Sequence, residues 1–446
     1  MLDRLVLKQS RQAVYLHDSL ADLPSLILGT STRGKTEKMI ADVFQGATKG
    51  RPQIIMDAKV NMDTVEKLAY FAKRAGRPFY AVFPIGRKIL GHTWSPLVCP
   101  GVSQDAIREA IFDSFQPPES EQKKGVGVYF YDKQKAVFRL LWRLFEATGH
   151  PFNLRDLLAA FKHPECFEVF GRMADLGIVR GEYQELLNRR NEDKDFKSSL
   201  EGFVNWLSKF DGWVINSENP DVVLPGCIDE GAVVYFGLPI NVERDLGRTL
   251  GKVLMNQLHL LSATAQLNRG GRRNQVDIFI DEAWAFIDEP TANWVCQGKT
   301  SGFRLRIMIQ TKADLDQFGQ AFSERIRANA ANVWLFNPSD YKTAREYASL
   351  FGGEWEESEH SSLRGRETYR VNPDWILALR RGQCFYRPAE IVRRPYLLAT
   401  PLLFDAPVNC YWSRTITKTK TPLKKEPLNT ALRIIQAKSQ IHKSDV

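Results

Sequence analysis

Over residues 20–100, short apolar runs alternate with stretches whose apolar positions recur at helical spacing. Leu23 to Leu28, Gln53 to Met56 and Pro78 to Pro84 predict strands, and Glu37 to Phe44 and Met62 to Ala75 predict helices. Between 103 and 218 the pattern becomes helical throughout, in DAIREAIFDSF, AVFRLLWRLFEA, NLRDLLAAF, ECFEVFGRMADLG and KSSLEGFVNWLSKF; the one strand-like run is Val126–Tyr131. From Gly231 the alternation returns, with strands at Val233–Leu238, Val276 to Asp281, Arg304 to Ile309, Asn332–Phe336 and Gln383–Tyr386, and a long helix about Arg244–Ala265. This order predicts an α/β domain in two parts, 1–102 and 226–410, with an all-α domain inserted at 103–225 and a basic, flexible tail at 411–446.

The first strand runs into Gly29-Thr30-Ser31-Thr32-Arg33-Gly34-Lys35-Thr36, a full match to G-x-x-x-x-G-K-[ST]. The pattern alone arises by chance in about one or two chains per hundred of this length. Its setting of strand, loop and helix is what makes it specific for a phosphate-binding loop. Gly29 and Gly34 let backbone N–H groups wrap phosphates, and the helix N-terminus adds a favourable dipole. Lys35 is placed to reach the β- and γ-phosphates, and Thr36 to set its hydroxyl on Mg²⁺.

Val276-Asp277-Ile278-Phe279-Ile280-Asp281-Glu282 is the second element of this chemistry. An apolar strand ending in two carboxylates fits a buried parallel strand whose C-terminal end faces a ligand. Asp281 is the candidate Mg²⁺ ligand, and Glu282 the candidate group that orients or polarises the attacking water. Taken alone, the run reads equally as a core strand before an acidic turn. The strand Arg304 to Ile309 ends at Gln310, either a γ-phosphate sensor or an ordinary loop start. Together the two motifs predict a protein that binds and hydrolyses a nucleoside triphosphate with Mg²⁺.

Composition limits the alternatives. The 446 residues are 43% hydrophobic and 25% charged, as in globular proteins with ample core. No apolar run is long enough for a membrane-spanning helix, and no secretory leader is visible at the N-terminus. The six cysteines lack C-x-x-C spacing and read as reduced thiols of a cytosolic protein. The net charge of +9 permits an anionic partner. Part of it lies in the tail, where Arg414, Lys418, Lys420, Lys424, Lys425, Arg433, Lys438 and Lys443 face only Glu426 and Asp445. The tail reads as a solvated terminus or as a contact to nucleic acid or acidic lipid. The basic loop Asn268 to Arg273 is either a surface turn or the lining of a DNA pore.

The order of these motifs resembles one family. Ala283-Trp284 follows the acidic strand; then come Met308-Ile309-Gln310-Thr311-Lys312-Ala313-Asp314-Leu315, Arg327 to Phe336, Pro338-Ser339-Asp340, Thr343-Ala344 and Leu350-Phe351-Gly352. The run is similar to the C-terminal half of type IV secretion coupling proteins of the TraD/TraG group, the DNA-pumping ATPases of conjugation. Asp57-Ala58-Lys59 stands where that group carries D-x-K, and Trp94-Ser95-Pro96-Leu97 resembles its aromatic-Asn-Pro-Leu. The resemblance implies a RecA-like P-loop NTPase fold with an inserted all-α domain. It implies a homo-hexameric ring with ATP sites at the subunit interfaces and DNA, held without regard to sequence, passing through the centre. By position it makes Gly29, Thr30, Ser31, Thr32, Arg33, Gly34, Lys35 and Thr36 the nucleotide site, Thr36 and Asp281 the Mg²⁺ ligands, and Lys35, Glu282 and Gln310 the catalytic set. The implied partners are relaxase or relaxosome and the inner-membrane components of a type IV secretion system.

The chain departs from the group at three places. Its P-loop begins at residue 29, where relatives first carry transmembrane helices: the anchor is a separate polypeptide, has been lost, or is missing from a truncated form, and the expected location is the bacterial cytoplasm, peripheral to the inner membrane through partners. Arg33 replaces a small residue in the loop. Lys299 stands where relatives carry Arg, which leaves Lys299, Arg304, Arg325 or Arg327 as candidate trans-acting cation. Two rival functions share these motifs: a secretion-apparatus assembly ATPase that handles protein, and a nucleotide-binding docking adaptor without turnover.

Overall fold

Strands that read as unbroken apolar runs must be covered on both faces, and the crossover helices of a parallel sheet provide that cover. The computed structural model describes residues 23–85, 91–114, 125–147, 149, 151–162, 165–175, 177, 179–192, 196–267, 275–338, 340–356, 366–388 and 396–399. Its strands are β1 (Ser25–Leu28), β2 (Gln53–Asp57), β3 (Phe79–Val82), β4 (Val233–Gly237), β5 (Val276–Asp281), β6 (Phe303–Ile309), β7 (Asn332–Phe336), β8 (Gly353–Glu356), β9 (Arg366–Tyr369), β10 (Gln383–Arg387) and β11 (Tyr396–Ala399). Nine form one sheet in the order β11-β10-β7-β1-β6-β5-β2-β4-β3, and β8 pairs with β9 alone. The run β7-β1-β6-β5-β2-β4 is parallel, whereas β10 pairs antiparallel with both β7 and β11. β1, β2, β4 and β6 are buried along their whole length.

The chain divides into two compact units. The first takes the described residues of Met1–Ala81, Cys227–Asn241 and Ser262–Ser413, and the second those of Val82–Gly226 and Val242–Leu261. In the first unit the helices Lys35–Thr48 and Met62–Arg74 follow β1 and β2. The second of them is started by Asn61, whose side chain accepts from the Asp63 N–H, an N-cap of the usual kind.

The second unit is helical over Gln104–Asp113, Gly125–Ala147, Leu154–Lys162, Glu165–Asp175, Arg180–Glu192 and Phe196–Leu207. Aromatic rings build its core: Phe138 lies 5.4 Å from Phe112, 5.6 Å from Phe203 and 5.6 Å from Trp142. The expected strand Val126–Tyr131 is instead the start of the helix Gly125–Ala147. Its β-branched and aromatic residues suit a strand, but strand preference largely reflects packing. Here Tyr131 packs on Phe112 at 5.0 Å and donates to Asp113 Oδ1 at 3.1 Å, as a continuation of the amphipathic helix. Within this unit Trp94 is fully buried, its backbone N–H donating to Val214 O, and Gln257 Nε2 donates to Pro96 O.

Charges inside β5 and β6 are satisfied by one another. Arg304 Nη2 lies 2.5 Å from Asp277 Oδ2, Arg306 Nη2 lies 3.3 Å from Asp277 Oδ1, and Gln53 Nε2 donates to the same carboxylate at 3.1 Å. Arg306 also donates to Ser25 Oγ at 2.9 Å. Arg304 and Arg306 share a face because side chains alternate along a strand, and Asp277 sits opposite on the neighbouring strand. Removing one partner of such a cluster leaves a buried charge without its counter-ion, at a cost of about 3–5 kcal/mol. Asp277→Leu is therefore expected to lower the urea midpoint strongly, and Asp277→Leu with Arg304→Met to recover the share of the loss that Arg304 carries, Arg306 remaining without its counter-ion. Equal losses in the single and double variants would contradict this account.

Among the described residues no helix is long and apolar enough to cross a membrane. Cys99, Cys227 and Cys384 are buried.

Candidate nucleotide-binding site

All the side chains of this site belong to the first unit and stand at the C-terminal ends of β1, β2, β5 and β6. β1 delivers the loop 29–36, and the helix Lys35–Thr48 starts from its last residues. Gly29 has φ +152° and Gly34 φ +113°, conformations L side chains rarely adopt. Space is refused as well: a Cβ at Gly29 would lie 2.5 Å from Phe336 Cβ, and one at Gly34 2.9 Å from Gly382 Cα. The loop is pinned from outside. Gly382 N–H donates to Arg33 O at 2.9 Å, and Thr30 Oγ1 donates to Asn337 O at 3.1 Å. Asn337 in turn donates to Leu377 O and Leu379 O.

Lys35 is buried at the head of the helix and donates to Gly29 O and, at 3.2 Å, to Ile309 O. Burial pushes its ammonium below the usual lysine range, against the opposing pull of Asp281 and Glu282. A buried cation held by carbonyl oxygens, beside a helix N-terminus and a glycine-shaped loop, fits a polyanionic ligand. Thr36 is half-buried in the first helical turn, while Ser31 and Thr32 are exposed on the loop.

Asp281 ends β5 in register with Asp57 at the end of β2. Burial, then the Asp57 charge, raise its carboxyl to about 6. Asp57 accepts from Tyr235 Oη at 2.6 Å and from the N–H groups of Lys59 and Val60 at 2.8 and 3.2 Å. Among the described residues no cluster of three His, Cys, Asp or Glu could hold a metal alone. A divalent cation between Thr36 and Asp281 would take most of its oxygens from phosphate and water, as Mg²⁺ commonly does.

Glu282 is buried and anchored on three sides. Lys59 Nζ lies 2.5 Å from Oε1, Trp284 Nε1 donates to Oε2 at 2.9 Å, and Gln310 Nε2 donates to Oε1 at 2.8 Å. Burial alone would raise this carboxyl; the hydrogen bonds from Lys59, Trp284 and Gln310 hold it below the usual range. Gln310 is fixed in turn. Its N–H and that of Thr311 donate to Asp314 Oδ2 at 2.8 and 2.9 Å, and Tyr347 Oη donates to its carbonyl at 2.8 Å. Among the described residues three non-glycine residues have positive φ: Thr32 at 65°, Val60 at 56° and Glu282 at 52°. Each lies on a loop of this site, and such conformations cost of order 1–3 kcal/mol each.

The structure thus brings Lys35, Glu282 and Gln310 to one place, with Asp281 beside them. It adds Lys59, Trp284, Asp314 and Gly382, which the motifs did not single out for these roles. Arg304 is committed to Asp277 inside the sheet, which removes it as a trans-acting cation. Arg325 stays exposed on the helix Gln320–Asn329, paired with Glu289 at 2.9 Å. The Lys299 side chain, the loop 268–273 and the tail 411–446 lie outside the described residues.

A glycine-rich loop after β1, one strand away from β5 and its terminal Asp281 across β6, within a mostly parallel sheet, gives a RecA-like P-loop NTPase fold. Residues 275–374 match the family described as the TraM recognition site of TraD and TraG. The fold is similar to the bacterial conjugative coupling protein TrwBdeltaN70 in its unbound form, at TM-score 0.62 and 15% identity over 91% of each chain. It is equally similar to TrwB in complex with ADP and Mg²⁺, at TM-score 0.62 and 15% identity over 92% of this chain and 93% of that one. With TrwB bound to a non-hydrolysable ATP analogue the figures are 0.61 and 15%, over 91% and 92%. No curated protein matches the chain. The resemblance to TraD/TraG-type coupling proteins therefore holds in sequence over residues 275–374 and in fold over nine-tenths of the chain.

Proposed function

We propose that the chain is an ATP-hydrolysing coupling-protein ATPase that binds DNA and pumps it towards a type IV secretion channel. The observation that carries the reading is Glu282, held in place by Gln310 and Trp284 beside the buried Lys35 of a glycine-shaped loop. An anchored carboxylate at this position suits a general base for an attacking water. The likeness to TrwB, solved with ADP and Mg²⁺, supports ATP and Mg²⁺ as cofactors here.

Residues 29–36 bind the phosphates; Thr36 and Asp281 would hold Mg²⁺, which would supply charge neutralisation at the transferring phosphoryl group. Lys35 contributes its ammonium at the β- and γ-phosphates. Gln310 orients the water and Glu282 accepts its proton. The family match supports a relaxosome component of the TraM kind as partner, together with relaxase and inner-membrane components of the secretion system. The working form is a homo-hexamer with sites at its interfaces, acting in the bacterial cytoplasm at the inner membrane through those partners.

Steady-state ATPase with and without DNA, at low and moderate salt, tests the reading. DNA should stimulate turnover irrespective of sequence. The stimulation should fall as salt rises, because the grip on phosphates releases counter-ions. Turnover indifferent to DNA would favour a protein-handling assembly ATPase. Nucleotide binding without turnover under any condition would favour an adaptor.

A further inference from the structure

We infer that Lys59 is a positioning residue shared between two anions, the Glu282 carboxylate when the site lacks a γ-phosphate and the γ-phosphate itself when a nucleoside triphosphate is bound. The inference rests on the nucleotide site proposed above. Its geometry is explicit. Lys59 Nζ is 2.5 Å from Glu282 Oε1 and 3.5 Å from Ser31 Oγ on the phosphate-binding loop. The two ends of the pair differ: 44% of the lysine side chain is exposed against 4% of the glutamate side chain. The lysine can therefore be drawn away while the carboxylate stays.

The stem of Lys59 is fixed where a carrier of this kind needs it. Asp57 accepts from the N–H groups of both Lys59 and Val60, and Tyr235 donates to the other Asp57 oxygen. This clamp holds Val60, a β-branched residue, at φ 56° and aims the preceding side chain at the loop. Without Lys59, Glu282 keeps Trp284 and Gln310 as donors, so it retains its place and loses its counter-ion. Arrival of a γ-phosphate near Ser31 offers the ammonium a second, more highly charged partner. The exchange frees Glu282 for water only when there is a triphosphate to hydrolyse.

Binding measurements test this without recourse to turnover. Affinities for ADP and for a non-hydrolysable ATP analogue, both with Mg²⁺, are measured by calorimetry for wild type, Lys59→Met, Lys59→Arg, Glu282→Gln and the Lys59→Met/Glu282→Gln pair. Lys59→Met should leave ADP affinity near that of wild type and weaken the analogue about tenfold or more, as expected for a lost hydrogen bond to a charged group. Lys59→Arg should restore most of the difference. Glu282→Gln should tighten the analogue several-fold when Lys59 is present and have little effect when it is Met.

Equal weakening of both nucleotides by Lys59→Met would make the residue structural and overturn the inference. So would an unchanged ratio, or a gain from Glu282→Gln that does not depend on Lys59, since simple removal of a negative charge predicts the latter. Wild type that binds neither nucleotide would overturn this inference and the nucleotide site together. Wild type that binds both, with Lys59→Met leaving the ratio intact, would overturn the inference alone.

Discussion

Glu282→Gln is expected to bind ATP and Mg²⁺ and to turn them over about two to four orders of magnitude more slowly than wild type, the usual contribution of a positioned general base. The substitution conserves shape. Gln310 and Trp284 already donate to the two carboxylate oxygens, and one amide oxygen can keep one of those bonds. The loop carrying residue 282 is set by its own backbone at φ 52° and by the hydrogen bond from its N–H to Asp281 Oδ1 at 3.0 Å. Neither depends on the charge of the side chain. The loss should fall on the chemical step, so single-turnover rates should drop in parallel with steady-state rates while nucleotide affinity holds or improves. Turnover equal to wild type would remove Glu282 from the reaction and leave its three donors as scaffolding.

How much of this was legible in the sequence follows from the range of each interaction. The candidate phosphate-binding loop is local: glycine spacing, lysine and threonine within eight residues, and a strand and helix on either side. β5 and β6 were legible as apolar runs, and their terminal polar residues as candidates, because buried parallel strands present little else at their ends. What was not legible is paired across the fold. Lys59 meets Glu282 from 223 residues away, and the short D-x-K that carries it gave no sign of its partner. Gly382, whose backbone closes on Gly34, has no motif at all. Arg304 was a candidate trans-acting cation; only the strand order that sets β5 beside β6 gives it and Arg306 their partner Asp277. The strand reading of Val126–Tyr131 failed for a related reason. Propensity is a weak guide where a neighbouring helix decides the packing.

Lys35→Ala is expected to abolish nucleotide binding, and with it all turnover. In the free protein this ammonium is spent on two carbonyl oxygens, Gly29 and Ile309, and burial works against its charge. Those bonds are poor compensation for a buried cation, so its full interaction is realised only with an anionic ligand. Loss of the side chain should then cost little in the ligand-free fold, whose loop is pinned by Gly382, Thr30 and Asn337 independently of Lys35. The distinguishing measurement is the thermal midpoint with and without ATP and Mg²⁺. At a hundred times the dissociation constant, binding stabilises a wild-type protein by about 2.7 kcal/mol, and the variant should gain nothing. Retained binding with full ATPase would sink the assignment of the loop. A variant that is already destabilised without ligand would instead show that Lys35 is needed by the fold itself. Lys35→Arg separates charge from shape: the guanidinium fork cannot occupy the narrow place between two carbonyls that a point charge fills, so it should not rescue binding.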